Sequence, residues 1–476
     1  VDYPDHPIRI EGWDPARAQM DFEVGMVQAL YSPLLELDDQ AQLKPGWAES
    51  FTWQDTHTLL LKIRREHKRA DGTDLTAADA LHSLKRLAFL QQDQDAFYVE
   101  QFCHRKRLST IHDSCSGLSA QDQVLTIQTR DRVAILPQLL TAVETSIVPL
   151  AALEADGLSI RDHAVGSGPY SLERQTSAPI LFRANPYHFN FNRDMPQQIH
   201  LIASRGNTLD DFHRAFLEKR LDHMTRFSAL NAFKFKDLAS RLGDEVQQQS
   251  TLPMGVGVLL FTNEGLRRHD ERDRRSLVLL LQKASRRCLL RSGQDQVRRP
   301  TLLLIPATAV GSLNTKEATA LEAMRQSHAL RPIPQSVRIR FPESMGDELV
   351  PCLADELKGW PVVFNQSGDE EADLRFKGYD LSTYEELGTL RSMLTIGLLD
   401  ADGADRESWI YRYMAEQDTG RRMQFIKQAQ LRAIWGSPSV IPLWNYETGA
   451  LIRRPWLMNF SPLSMTNPFH LIRYAG

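Results

Sequence analysis

Apolar and polar positions along the chain fall into short blocks with two different periods. Leu59-Leu60-Leu61-Lys62-Ile63-Arg64 is an apolar run of strand length. Asp71-Gly72 follows as a turn, because glycine accepts positive φ without steric cost. Thr76 is placed as an N-cap, and Asp79 puts a carboxylate in the first helical turn. Ala80, Leu81, Leu84, Leu87 and Ala88 then form one apolar stripe, with Lys85 and Arg86 off it. Further on, Gln123–Thr129 reads as a strand and Leu136–Val143 as a short helix with Pro137 in its first turn. Arg272–Leu277 opens a helix, and Met423–Trp435 is an amphipathic one. Strands and helices alternate throughout, which predicts an α/β or mixed architecture.

At 476 residues the chain has room for two to four domains. Its 42% apolar and 24% charged residues are ordinary for a globular protein. A net charge of −4 gives no case for nucleic acid or an anionic membrane as partner. No apolar run approaches the roughly 20 residues that span a bilayer. The chain begins at Val1 without a basic or apolar leader, so a mature or trimmed product is expected. Four cysteines are too few for a disulfide scaffold. Cys103-His104 with His112 and Cys115 could hold a metal, Cys103 and Cys115 could pair, or all four could be thiols.

Three segments carry a resemblance. Pro45-Gly46-Trp47-Ala48-Glu49-Ser50, the strand at 59–64, and Asp71-Gly72-Thr73-Asp74-Leu75-Thr76 leading to Ser83-Leu84-Lys85-Arg86 occur in that order. They resemble the family 5 extracellular solute-binding proteins, receptors of peptide- and nickel-type ABC importers. Val165-Gly166-Ser167-Gly168-Pro169-Tyr170, Asn185-Pro186-Tyr187, the strand at 259–264 and Pro438–Trp444 resemble later family segments. The resemblance implies a periplasmic binding protein-like α/β fold of the three-domain peptide-receptor type, with two lobes and a hinge. Domain I would comprise 1–44, 165–255 and 442–476, domain II 45–164, and domain III 256–441. The chain would cross between lobes near 255 and 441.

The resemblance also implies site residues. Ala401-Asp402, Asp405 and Trp409-Ile410 keep the spacing of a motif in which peptide-binding members contact the ligand's ammonium through the first aspartate, so Asp402 is the carried-over anchor. Leu399, Gly403 and Arg406 depart from that motif, removing an aromatic wall and adding a cation. Tyr98 stands where relatives present a cleft tyrosine. Asn263, Tyr31 and Trp444 are further candidates, with strand-end hydrogen bonding or aromatic packing as their alternative roles. No G-x-S-x-G, HExxH, phosphate-loop or dinucleotide fingerprint occurs, and His57, His82, His163 and His223 lack metal-type spacing. The expectation is a monomeric, freely soluble periplasmic receptor with no cofactor and no enzymatic activity. It would capture a peptide or small-molecule ligand and pass it to ABC permease subunits. A nickel-chelate or opine receptor, or the sensing part of a transcription regulator, is the alternative.

Overall fold

A computed structural model describes residues 13–18, 21–94, 96–174, 180–202, 209–224, 232–342, 349–365, 372–381, 386–395, 406–464 and 468–476. The 59–64 run becomes the strand Thr58–Ile63, with Leu59, Leu61 and Ile63 facing the core at period two. It pairs with Ala48–Trp53 on one side and Val124–Gln128 on the other, and Leu118–Gln121 completes a four-stranded antiparallel sheet. The helix Ala77–Gln91 starts with the expected Thr76 cap, closed into a box by Asp79. Ala80, Leu84, Leu87 and Ala88 are buried as the stripe requires. Arg86 is buried too, although its spacing put it off the stripe. It forms a bidentate ion pair with Asp14, which anchors the N-terminal segment on this helix. The helix expected at 136–143 shrinks to Leu136–Leu139, followed by a 3-10 turn at Val143–Thr145. The Thr141 hydroxyl donates to Gln138 O and that of Thr145 to Leu139 O and Ala142 O, competing with the backbone for these carbonyls.

Two three-stranded sheets and two two-stranded ones, Leu35–Leu37 with Leu43–Pro45 and Trp456–Met458 with Ile472–Tyr474, also belong to the first lobe among the described residues. Tyr170–Arg174, Ile180–Ala184 and Gln198–Leu201 form one of the three-stranded sheets. His223–Met224, Gly449–Arg453 and Val246–Ser250 form the other. The second lobe is built on six strands in the order Arg298–Pro300, Val440–Tyr446, Gly255–Phe261, Leu374–Asp380, Val337–Arg340, Val362–Asn365. The helix Glu271–Arg291, capped by Asp270, covers one face of this sheet. A disulfide between Cys288 and Cys352 ties it to the helix Val350–Glu356. Because Val440–Tyr446 pairs with Gly255–Phe261, the chain leaves this lobe at Glu447–Thr448, beyond the expected crossing near 441.

The joint inside the first lobe explains the glycines at 166 and 168. A Cβ on Gly168 would collide with the backbone of Ala29, Leu30 and Tyr31, at the end of the helix Asp21–Leu30. A Cβ on Gly166 would run into Leu30 O. Between them Ser167 Oγ accepts from Ser32 N at 3.1 Å, and Trp47 Nε1 donates to Ser167 O at 2.8 Å. Asn185 Nδ2 donates to Gly168 O at 3.1 Å. Beside this joint lies His188, 2% exposed, whose Nδ1 accepts from Asn190 N at 3.1 Å. The ring therefore carries its proton on Nε2, within 3.1 Å of Ser32 Oγ. Burial, and then the nearby charges of His470, His67 and Arg64, hold its pKa well below the ordinary histidine value.

Two expectations follow. Gly168→Ala should lower unfolding stability by about 1–3 kcal/mol in urea titrations. Gly25→Ala, on an open helical face with nothing within 4 Å, should raise it by about 0.5–1 kcal/mol. A buried neutral His188 takes up no proton on folding, while the unfolded chain does so below about pH 6.5. Its contribution is therefore full above pH 6.5 and is lost as pH falls, by about 1.4 kcal/mol per pH unit over which it stays neutral. His188→Gln should flatten the slope of stability against pH below 6.5.

Candidate functional site

The two crossings between lobes run side by side. Thr251 N donates to Thr448 O at 2.8 Å, and Thr448 N donates to Thr251 Oγ1 at 3.0 Å. On the first-lobe side Val246–Ser250 pairs with Gly449–Arg453, and on the other Gly255–Phe261 pairs with Val440–Tyr446. Both strands therefore pass the junction as a pair, which is the arrangement of a hinge.

Away from the crossings the lobes meet along a seam rich in charge. On the first lobe the helix Phe97–Cys103 carries Tyr98 and Glu100, and the turn Val143–Thr145 carries Glu144. On the second lobe the helix Glu386–Thr395 carries Arg391, and the helix Arg406–Ala415 carries Tyr411 and Met414. Tyr98 Oη donates to Glu144 Oε1 at 3.3 Å, and the Arg391 guanidinium pairs with the same carboxylate from across the seam. Tyr411 Oη donates to Glu100 Oε2 at 2.6 Å. Arg130 also pairs with Glu100 at 3.0 Å, and its guanidinium lies 5.9 Å from the Tyr411 ring centre. Ala134 N donates to Met414 O at 2.7 Å. Burial pushes the neighbouring Asp131 carboxyl up, but hydrogen bonds from Gln101 Nε2 and Arg130 Nε, both 2.9 Å, bring it below its usual value. The seam thus presents ionised carboxylates and guanidinium groups from both sides, suited to a polar or charged solute.

Of the residues expected at the site, Tyr98 lies in this seam, with 6% of its surface exposed. Arg406 starts the helix that carries Tyr411. Asp402 and Asp405 lie outside the described residues. Tyr31 is fully buried in the first-lobe core, its hydroxyl 2.9 Å from His163 Nδ1. Trp444 is buried in the second-lobe sheet, stacked on Phe376 with ring centres 5.4 Å apart and under the Arg298 guanidinium at 5.7 Å. Both serve packing in this structure. Asn263 does not end a strand: it opens the helix Asn263–Arg268, because the Thr262 hydroxyl caps Gly265 N at 3.0 Å. Glu100, Arg130, Glu144, Arg391 and Tyr411 were not anticipated. They are brought together across as many as 311 positions, and no local spacing marks them.

Cys103 closes the helix Phe97–Cys103 and is disulfide-bonded to Cys115. His104 Nε2 lies 2.8 Å from Gln128 O. The free-thiol and metal alternatives for this cluster are therefore replaced by a crosslink. Among the described residues no three His, Cys, Asp or Glu side chains gather as metal ligands. Among them, too, no helix is long and apolar enough to cross a membrane.

Residues 42–269 match the model of the bacterial extracellular solute-binding proteins, family 5. The whole described fold agrees with that match. Over residues 42–269, just under half of its length, the chain is similar to this family. It resembles OppA of Haemophilus influenzae, solved in complex with RPPGFSPFR, at 17% identity and a TM-score of 0.70 over 98% of this chain and 96% of that one. NikA of Brucella suis, solved with Fe(III)-EDTA, gives a TM-score of 0.73 at 14% identity over 95% of each chain. In sequence, the glutathione-binding protein GsiB of Escherichia coli is 28% identical over 161 residues, 34% of this chain and 29% of GsiB. The matched stretches span less than half the length of such curated relatives.

The crosslink at the seam gives a direct expectation. Thiol titration under denaturing, non-reducing conditions should find no free thiol, since all four cysteines are paired. Reduction should destabilise the protein by about 2–4 kcal/mol per bridge. Four titratable thiols in the untreated protein would contradict the pairing.

Proposed function

We propose that the protein is a periplasmic solute receptor of an ABC importer, taking a peptide or peptide-like solute between its two lobes and delivering it to permease subunits. The observation that carries this reading is the charged seam opposite a paired-strand hinge, inside a family 5 fold. Seam carboxylates and guanidinium groups suit a solute with a free ammonium and carboxylate. Tyr98, Arg406, Asp402 and Asp405 are its proposed contacts from this region. The two disulfides fit an oxidising compartment outside the cytoplasm. OppA, solved with RPPGFSPFR, and the glutathione-binding GsiB support a peptide, and NikA, solved with Fe(III)-EDTA, supports a metal-chelate solute as the second reading. The protein performs no covalent chemistry on its solute in either case.

Native mass spectrometry of gently purified protein should show a retained small molecule that disappears on unfolding. Calorimetry on solute-stripped protein, with glutathione, tripeptides, a nonapeptide and a nickel–histidine complex, should give one-to-one binding with Kd of micromolar or tighter for one class. Compaction in small-angle scattering should accompany that binding. Failure to bind any member, with no retained molecule, would overturn the receptor reading.

A further inference from the structure

The first-lobe side of the seam hangs on one short helix. Phe97–Cys103 has seven residues, and no side chain caps its first turn at Ala96. A helix this short does not hold itself together in water, so its stability comes from what grips it. It carries Tyr98 and Glu100 directly. Through Gln101, fully buried, it also fixes the neighbouring seam residues. Arg130 N donates to Gln101 O at 3.1 Å, Asp131 N donates to Gln101 Oε1 at 2.9 Å, and Gln101 Nε2 donates to Asp131 Oδ2 at 2.9 Å. Tyr98, Glu100, Arg130 and Asp131 therefore all depend on where this helix lies.

The grip lies at the other end of the helix. Cys103 is its last residue and is bonded to Cys115 across 12 positions, both residues being buried. His104 turns the chain left-handed at φ 55°. The chain then returns, and Gly117 N donates to Phe102 O at 3.0 Å. A Cβ at Gly117 would meet both Phe102 O and Gln128 O, so the returning loop is pressed between the helix end and the strand Val124–Gln128. The other bridge, Cys288–Cys352, belongs to the second-lobe core. We propose that the Cys103–Cys115 bridge is a positioning element of the solute site: it holds Tyr98, Glu100, Arg130 and Asp131 in register, so that affinity for solute, and not stability alone, depends on its being oxidised. The inference rests on the receptor reading, under which the seam takes the solute. A crosslinked helix presents its groups already ordered. Without the crosslink the helix end and its loop gain conformations that binding must remove, and affinity falls by that amount.

The test compares the two bridges. Cys103→Ala with Cys115→Ala removes the seam bridge, and Cys288→Ala with Cys352→Ala removes the other. Calorimetry is run where urea titration shows the proteins folded, with trialanine, RPPGFSPFR, S-methylglutathione and a nickel–histidine complex as probes. For the probe that binds the unaltered protein, loss of the seam bridge should weaken affinity about tenfold or more, and loss of the other bridge should leave it within about twofold. Both variants should lose stability, so stability does not separate them. A second measurement needs neither a probe nor the seam-bridge variant. In the Cys288→Ala, Cys352→Ala protein, dithiothreitol can reduce only Cys103–Cys115. Amide exchange at 97–103, 130 and 131 should then quicken about tenfold, with recovery on reoxidation and no change along Thr58–Ile63. Equal affinities in the two variants, or exchange unmoved by reduction, would overturn the inference. No binding of any probe by the unaltered protein would instead overturn the receptor reading, and this inference with it.

Discussion

Two strands cross the junction between the lobes together, and this pairing constrains every motion of the protein. Val246–Ser250 leads into Gly255–Phe261, and Val440–Tyr446 leads back into Gly449–Arg453. Each strand is hydrogen-bonded to the other on both sides of the junction, and Thr251 and Thr448 bond at the junction itself. A paired crossing resists twist and shear more than a single linker does. Rotation about the short stretch between the paired segments is the motion such a crossing permits.

The seam is built to be reversible. The seam guanidinium groups keep about a third of their surface in water, although Glu144 and Glu100 are mostly buried, and an ion pair with one such wetted partner contributes at most about 1–2 kcal/mol. Tyr98, Glu100, Arg130, Glu144, Arg391 and Tyr411 therefore give the closed form definite geometry without great stability. The interior of each lobe is different. Asp14 and Arg86 pair almost fully buried, where losing either partner would strand a charge. Asp373 is fully buried between Arg268 and Arg338 in the second lobe. The buried pairs at Asp14 and Asp373 lie inside the lobes, while the guanidinium groups of the seam stay partly wetted. That division lets the lobes move as units.

The segments that carry the family resemblance turn out to be scaffold. Trp47, Gly166, Ser167, Gly168 and Asn185 come from three separate stretches, yet they meet at one joint around the end of the helix Asp21–Leu30. Glycine is required there because Leu30 approaches to backbone contact. The capping box of Thr76 and Asp79 orients the next helix, and Asp79 also accepts from Leu150 N at 2.9 Å. These residues specify the fold that presents a site, while the solute-facing groups are free to differ between relatives.

The sequence alone determined what is local. The strand at 58–63 follows from alternation, the helix from Thr76 onward from its cap and stripe, and the turn at Gly72 from glycine's tolerance of φ near +78°. The ordered motifs carried the resemblance to the family and pointed to its fold. Tertiary structure alone decided the burial of Arg86, which depends on Asp14 folding back 72 positions, and the Cys288–Cys352 bridge across 64. It carried the strand that pairs with Gly255–Phe261 on to Tyr446, a pairing no local spacing marks. It placed Tyr31 and Trp444 in cores, since an aromatic beside a motif reads the same whether it faces solute or packing. The seam was invisible in the sequence for the same reason. A carboxylate at 144 and a guanidinium at 391 carry no mark of each other until the fold closes the distance between them.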